Sequence, residues 1–257
     1  MPKKQTVKEI KEKLKEINDP EDAFIKSCLK DERKGVQKAV QQWERKQLAE
    51  KELLDRFERM NAYEIEATNL GYQFVAGIDE VGRGPLAGPV LSAAVILDKN
   101  QPIIGLDDSK KLSEKKRERL FEEIQEKAIA IGIGIVDSQG IDRHNILGAT
   151  KIAMQEAVNN LEKDADYLLV DAVHLNNGLP AKVMNQGDAK SNSIAAASII
   201  AKVSRDRMMK DYAKTYPAYA FESNAGYGTK EHLEGLKKYG PSPIHRYSFA
   251  PVRKYSN

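Results

Sequence analysis

A short apolar run, Phe74-Val75-Ala76-Gly77-Ile78, ends in two adjacent carboxylates, Asp79 and Glu80, followed by Gly82-Arg83-Gly84. The run reads as a buried strand. Charges are avoided at the end of such a strand unless several strand ends converge on a site, and ligands of α/β sheets gather beyond the strand ends. The glycines let the backbone turn and approach a ligand where a side chain would clash. The stretch Gly77 to Val90 therefore offers acid ligands for a cation, a guanidinium for phosphate or sugar, and exposed amides. That combination suits a metal-dependent enzyme working on a polyanion.

The composition changes near Tyr72. Before it the chain is dense in Lys, Glu, Asp and Arg. Val7, Ile10, Leu14 and Ile17 recur at helical spacing, as do Val36, Val40 and Trp43, and then Leu53, Leu54, Phe57 and Met60. Asn18-Asp19-Pro20-Glu21-Asp22 breaks the first helix and offers a cap for the next. Residues 1–70 thus read as a small all-helical domain or arm, either a packing appendage with solvated charged faces or a substrate-binding arm. After Tyr72 strands and helices mix. Strands are expected over 89–97, 129–136, 167–170 and 181–184, and helices over 113–128, 145–161 and 193–213, with Ser113 as an N-cap. The small residues at 195–198 suit close helix–sheet packing. The fold class predicted for residues 71–257 is α/β, one mixed central sheet flanked by helices.

With 257 residues the chain can build one ample core and a smaller domain. Its net charge of +3 argues neither for nor against a nucleic-acid partner, so local clusters must decide. Cys28 is the sole cysteine, which excludes an intrachain disulfide and any multi-cysteine metal site and suits a reducing cytosol. Met1-Pro2-Lys3-Lys4-Gln5 leads into no apolar signal region, and no apolar run approaches the roughly 18 residues of a membrane span. A cytoplasmic protein without membrane association is expected, and nothing requires more than a monomer.

Asp79, Glu80, Asp171 and Asp188 share a context, each at or just past the end of an apolar strand. Carboxylates crowded together repel and protonate unless a cation joins them. Oxygen ligands without cysteine and with little histidine point to Mg²⁺ or Mn²⁺ rather than zinc. Two such ions activate water and stabilise the leaving oxygen in phosphodiester hydrolysis. Each aspartate is also readable as a turn former or helix cap, Asp188 particularly. Asp79 and Glu80 would point to opposite faces of a regular strand, so a shared site requires the strand to break there.

Taken together, these segments resemble ribonuclease HII. The resemblance is carried by Gly77 through Val90, Asp108-Ser109-Lys110-Lys111-Leu112-Ser113, and Tyr167-Leu168-Leu169-Val170-Asp171. It continues through Gly187-Asp188-Ala189-Lys190-Ser191 and Ile194 to Val203, Gly226-Tyr227-Gly228-Thr229, His232, and Gly240-Pro241 through His245-Arg246 to Pro251. Order and spacing hold from about residue 72 to the end, in the pattern of a bacterial member with an extra helical N-terminal region. The resemblance implies an RNase H-like fold and endonucleolytic cleavage of RNA paired with DNA. It also implies incision 5′ of single ribonucleotides embedded in duplex DNA, leaving 3′-hydroxyl and 5′-phosphate ends. It implies that Asp79, Glu80, Asp171 and Asp188 bind two Mg²⁺ or Mn²⁺ ions. Gly82, Arg83 and Gly84 match the element that contacts the ribose 2′-hydroxyl, the group that distinguishes RNA from DNA. Tyr227 matches a tyrosine that packs on the deoxyribose 3′ of the ribonucleotide, although Gly226-Tyr227-Gly228 is also readable as a tight turn before a helix. Lys110, with Lys111, Lys190 and Lys202, is a candidate phosphate contact or equally a solvated surface lysine. Gln186 and Asn192 depart from the family pattern. The nearest rivals are ribonuclease HIII, against which the helical pattern of the first 70 residues argues, another two-metal nuclease of this fold class, and a non-catalytic nucleic-acid-binding module.

Overall fold

The computed structural model describes residues 5–255; Met1 to Lys4 of the N-terminal region, and Ser256 and Asn257, lie outside the described residues. The chain divides into two compact units between Arg56 and Phe57. The first holds α1 (Val7–Glu16), α2 (Ala23–Leu29) and most of α3 (Lys34–Met60). Thr6 and Glu9 form a reciprocal capping box at α1, satisfying two amides that a helix start leaves orphaned. Asp22 caps α2, as the breaker segment led one to expect. Ile10, Leu14, Ile25, Cys28, Val36, Val40 and Trp43 close one apolar core, and the Trp43 indole donates to the Ile17 carbonyl at 2.8 Å. The later stripe of α3 is less buried than its spacing suggests, for Leu54 stays exposed.

The second unit contains α4 (Ala62–Asn69), β1 (Val75–Val81), β2 (Val90–Ile96), α5 (Glu114–Lys127), β3 (Ala130–Val136) and α6 (Ser138–Asn159). It continues with β4 (Tyr167–Asp171), β5 (Ala181–Met184), α7 (Asn192–Thr215), α8 (Phe221–Asn224), α9 (Lys230–Tyr239) and α10 (Ala250–Arg253). The five strands make one mixed sheet in the order β3-β2-β1-β4-β5. β1, β2 and β3 pair antiparallel, whereas β4 pairs parallel with both β1 and β5.

Strand alternation sends side chains to two faces. Leu91, Ala93 and Val95 pack with α5 and α7, while Ala94 and Ile96 join Ala76, Ile78 and α6 residues Met154 and Ala157. α7 lies hard against β1: a Cβ on Gly77 would sit 2.0 Å from the Ser193 carbonyl carbon, so only glycine fits there. The alanines at 195–197 keep the rest of that contact close.

Three local features differ from the sequence reading. β1 does not break at the carboxylates but continues through Val81, with Asp79 opposite Ala93 and Glu80 opposite Ser92 on β2. α6 gains a first stretch from Ser138, capped by Asp137, that the sequence reading did not include; the backbone breaks at Asn145 (φ 55°), whose side-chain oxygen accepts the Leu147 and Gly148 amides, so the second stretch starts where it was expected. α7 is capped by Ser191, not Asp188. Among the described residues no helix is long and apolar enough to cross a membrane.

Candidate active site

Parallel pairing of Ile78 with Val170 brings the C-terminal ends of β1 and β4 side by side, and with them Asp79 and Asp171. Asp79 is 6% exposed, and one carboxylate oxygen accepts the Glu80 amide at 2.7 Å. Burial, then the charges of Glu80 and Asp171, pushes its pKa well above the usual carboxylate range, opposed by a hydrogen bond from the Ser198 hydroxyl on α7. Burial also raises Glu80, opposed by the Arg83 guanidinium, which donates to Glu80 Oε1 at 3.2 Å. The other oxygen, Glu80 Oε2, is buried without a hydrogen-bond partner. Asp171 accepts the Gly187 amide at 2.7 Å, tying β4 to the one-turn 3-10 segment Gly187–Ala189 that carries Asp188. Asp188, 8% exposed, is pushed up to about 6 by burial and by the charges of Asp108 and Asp171.

The charge of Asp171 therefore reaches Asp79, Glu80 and Asp188 and helps to raise all three, yet the four carboxylates are not gathered around a point. Among the described residues no three His, Cys, Asp or Glu side chains already stand as a ready-made metal cage. The chemistry of the set nevertheless fits a hard divalent cation. It consists of oxygen donors, it carries raised pKa values that a cation would lower, and it holds a partnerless buried carboxylate oxygen whose desolvation is otherwise uncompensated.

β1 leads directly into Gly82-Arg83-Gly84. Gly82 has φ +91°, and a Cβ there would lie 2.3 Å from Arg205 Nε. Two buried guanidiniums support this turn from beneath. Arg246 donates to the Gly82 carbonyl, to Arg83 O at 2.9 Å and to Gly88 O at 3.0 Å. Arg205 donates to Pro89 O and Ala225 O, each at 2.9 Å, and to Ala87 O at 3.2 Å. Their partners are neutral carbonyls, so burial lowers Arg205 to about 10 and Arg246 to about 9. Tyr227, 47% exposed, stands at the turn's edge: a Cβ on Gly84 would be 3.4 Å from Tyr227 Cε1.

The lysines separate. Lys110 is exposed, and its charge acts on both Glu80 and Asp188. Lys111 lies 4.0 Å from Asp108 and Lys202 pairs with Asp206 at 2.7 Å, while Lys190 donates to Asn185 O. Gln186 holds a left-handed conformation before Gly187, and Asn192 donates to Phe57 O at 2.9 Å. The sequence reading assigned no role to Asp108, Ser198, Arg205 or Arg246. For the arginines the sequence carried no signal, since Arg205 lies between Ser204 and Asp206 and Arg246 between His245 and Tyr247, as a surface arginine would.

A mixed sheet of this order, with acidic residues at the ends of its central strands and helices on both faces, defines the ribonuclease H-like class of hydrolases. The crystal structure of ribonuclease H2 from Pyrococcus horikoshii OT3 matches it with a TM-score of 0.63 and 27% identity, over 72% of this chain and 97% of that one. Bst-RNase HIII in complex with Mn²⁺ shares the fold, with a TM-score of 0.54 and 18% identity over 74% of this chain and 71% of that one. The family model described as Ribonuclease HII matches residues 76–252, and that of the Ribonuclease HII N-terminal domain matches residues 6–68. Ribonuclease HII of Enterococcus faecalis is 54% identical over 250 residues, which cover 97% of this chain and 98% of that protein. The chain belongs to the ribonuclease HII family and is a ribonuclease H-type hydrolase.

Proposed function

We propose that this enzyme cleaves the RNA strand of RNA–DNA hybrids and incises 5′ of single ribonucleotides in duplex DNA, leaving 3′-hydroxyl and 5′-phosphate ends. The observation that carries the reading is the Tyr227 ring beside Gly84, 3.4 Å from where a Cβ would stand, on a turn that begins two residues after Glu80. A sugar-reading surface therefore adjoins an acidic cluster. Asp79, Glu80, Asp171 and Asp188 are assigned as ligands of Mg²⁺ or Mn²⁺, two ions during turnover. When bound, such ions supply a nucleophilic hydroxide at neutral pH and neutralise charge on the scissile phosphate.

The chain's own groups supply position and selectivity. Backbone groups of Gly82, Arg83 and Gly84 hydrogen-bond the 2′-hydroxyl, and a deoxyribose there forgoes those bonds. Arg205 and Arg246 hold that turn rigid, so its backbone groups meet the sugar without reorganising. The Tyr227 ring packs on the next sugar, favouring a deoxyribose, and Lys110 meets a phosphate. In this organisation residues 71–257 carry out catalysis, and residues 1–70 form a helical packing appendage or binding arm. We assign the enzyme to the cytoplasm as a monomer.

The test is a cleavage assay on four duplexes: all DNA, DNA with one ribonucleotide, DNA with four consecutive ribonucleotides, and a full hybrid, each with Mg²⁺, Mn²⁺ or chelator. Metal-dependent cutting 5′ of the lone ribonucleotide, with the all-DNA duplex intact, is expected. Cutting of the full hybrid alone would overturn the single-ribonucleotide reading and favour a type HIII activity.

A further inference from the structure

We infer that His232 and His245 form a hydrogen-bonded pair of fixed polarity that positions Tyr227, a role that rests on the sugar contact assigned to Tyr227 above. Both imidazoles are completely buried. They are enclosed by Tyr219 and Phe221, whose rings meet them at centroid distances between 4.8 and 6.0 Å. No role in the chemistry falls to either, and buried imidazoles are a costly way to fill an aromatic cluster.

The hydrogen bonds fix every proton. His232 Nδ1 lies 2.9 Å from the Tyr227 carbonyl, which only accepts, so His232 Nδ1 carries hydrogen. His245 Nδ1 receives the Ser242 backbone amide at 2.9 Å, which only donates, so His245 Nδ1 is bare. The two Nε2 atoms are 2.9 Å apart. For two neutral rings one arrangement remains: His245 Nε2–H donates to a bare His232 Nε2. The chain Ser242 to His245 to His232 to Tyr227 O is thus polarised in one direction, a geometry in which each bond strengthens the next. Burial lowers the pKa of both rings, that of His245 to about 4, which keeps the pair neutral at working pH.

The pair connects two parts of the sugar-reading surface. Gly88 donates to Ile244 O at 2.8 Å and Arg246 donates to Leu86 O at 2.9 Å, so the segment bearing His245 runs alongside the 86–88 backbone. The Arg246 side chain holds the Gly82-Arg83-Gly84 turn from that same segment. On the other side, His232 and the Thr229 amide both donate to Tyr227 O and fix its peptide plane. The Leu86 amide on Gly226 O, at 2.8 Å, and Arg205 tie the chain before Tyr227 to the turn, and the imidazole pair adds a tie at the Tyr227 carbonyl itself. A pair of apolar rings would fill the same volume but leave that carbonyl without its imidazole donor and Tyr227 with one restraint fewer.

Two measurements test this. Imidazole ¹⁵N resonances of the full-length protein should show His232 as the Nδ1–H tautomer and His245 as the Nε2–H tautomer; the reverse tautomers, or a charged ring at neutral pH, overturn the pair. The second is a kinetic cycle on duplex DNA with one ribonucleotide. Tyr227→Ala is expected to lose about tenfold in kcat/KM, the low end of aromatic packing losses. His232→Leu should lose a similar factor, yet cost nothing further in the Tyr227→Ala background, because residues acting through one another are non-additive. His232→Asn, whose amide nitrogen takes the place of Nδ1, should recover to within about threefold of wild type. Should His232→Leu not fold, His245→Phe keeps an aromatic ring and takes its place in the cycle. Independent, multiplying losses would overturn the positioning role. Full rate in Tyr227→Ala would instead overturn the Tyr227 contact and with it the function of the pair, leaving the tautomers as observed.

Discussion

The ring of Tyr227 stands against Gly84, so close that a single added carbon on Gly84 would touch it at 3.4 Å, while nothing else comes within 4 Å of that carbon. The two residues are far apart in sequence, and their segments are joined by the Leu86 amide on Gly226 O, by Arg205 and through the His232–His245 pair. Gly84→Ala therefore tests function with little disturbance of folding. Its melting temperature should stay within about 2 °C of wild type, no more than the shift that about 1 kcal/mol produces in a domain of this size. Cleavage at a single ribonucleotide should fall at least about tenfold. Gly82→Ala should behave differently, because its Cβ would strike Arg205 Nε and Pro89 O at positive φ. A loss of about 2–3 kcal/mol in stability, read by denaturant unfolding, is expected there.

Asp79→Asn should nearly abolish turnover and leave the fold intact. The amide is almost isosteric but supplies no anion to hold a hard cation. Removing one charge from a group that already repels should also raise the melting temperature of metal-free protein by up to a few degrees. A variant that kept more than about a tenth of the wild-type rate, a loss of only ~1.4 kcal/mol in barrier terms, would show that Asp79 is no essential ligand.

The acidic cluster sets an unusual pH dependence. Burial and the charges of Asp108 and Asp171 push Asp188 up to about 6 from an ordinary 3.8, and Asp79 and Glu80 are raised in the same direction. Between about pH 4 and pH 6 the folded chain thus holds more protons at Asp188 than the unfolded chain, so this group's contribution to stability falls as pH rises. Asp188→Asn should match wild type near pH 4 and melt progressively higher than it through pH 7 without metal. Adding Mg²⁺ at neutral pH should stabilise wild type and narrow that gap. Calorimetric melting across the range checks both; a gap that shrinks with rising pH would contradict the assignment.

The role of the first unit is separable from catalysis, provided the cut is placed with care. Glu64 accepts from the Ser191 and Ser193 hydroxyls and the Ser193 amide, at 2.6, 2.7 and 2.9 Å, and so secures the start of α7 beneath β1. A truncation at residue 70 would remove that carboxylate, whereas one after Arg56 follows the division between the units. If residues 1–56 act as a binding arm, the truncated enzyme should bind more weakly, with the log–log salt slope reduced by about 0.9 for each lost phosphate contact. An unchanged slope with lower solubility would identify a packing appendage. Binding isotherms at several salt concentrations decide between them.

Much of the architecture was legible because local pattern and tertiary role agree. The run before Asp79, the cap at Ser113 and the small residues of α7 each signal their element without reference to the rest of the chain. The stretch of α6 before Asn145 was missed for a specific reason. Asn145 caps the helical stretch that follows it and so marks a start, while the earlier stretch is announced only by Asp137, which caps Gly140 about two turns before. The carboxylates stood out as charges at strand ends. Asp108 did not, because it lies in a polar loop, and only the folded chain places its charge beside Asp188. The buried arginines were hidden for a similar reason. Their partners are backbone carbonyls, which leave no trace in the identity of the residues that carry them.

α7 meets the strand and turn that precede it at three successive levels. Its start lies on Gly77, Ser198 reaches Asp79, and Arg205 props Gly82. From Ser193 to Arg205 this is about 18 Å of helix, advancing about 100° with each residue. One residue inserted or deleted between those points would rotate at least one of the three contacts off the sheet. Loops elsewhere can lengthen freely, but this helix is a gauge whose length is fixed by the segment 77–82. Anyone transplanting the Gly82-Arg83-Gly84 turn onto another scaffold must move the helix with it.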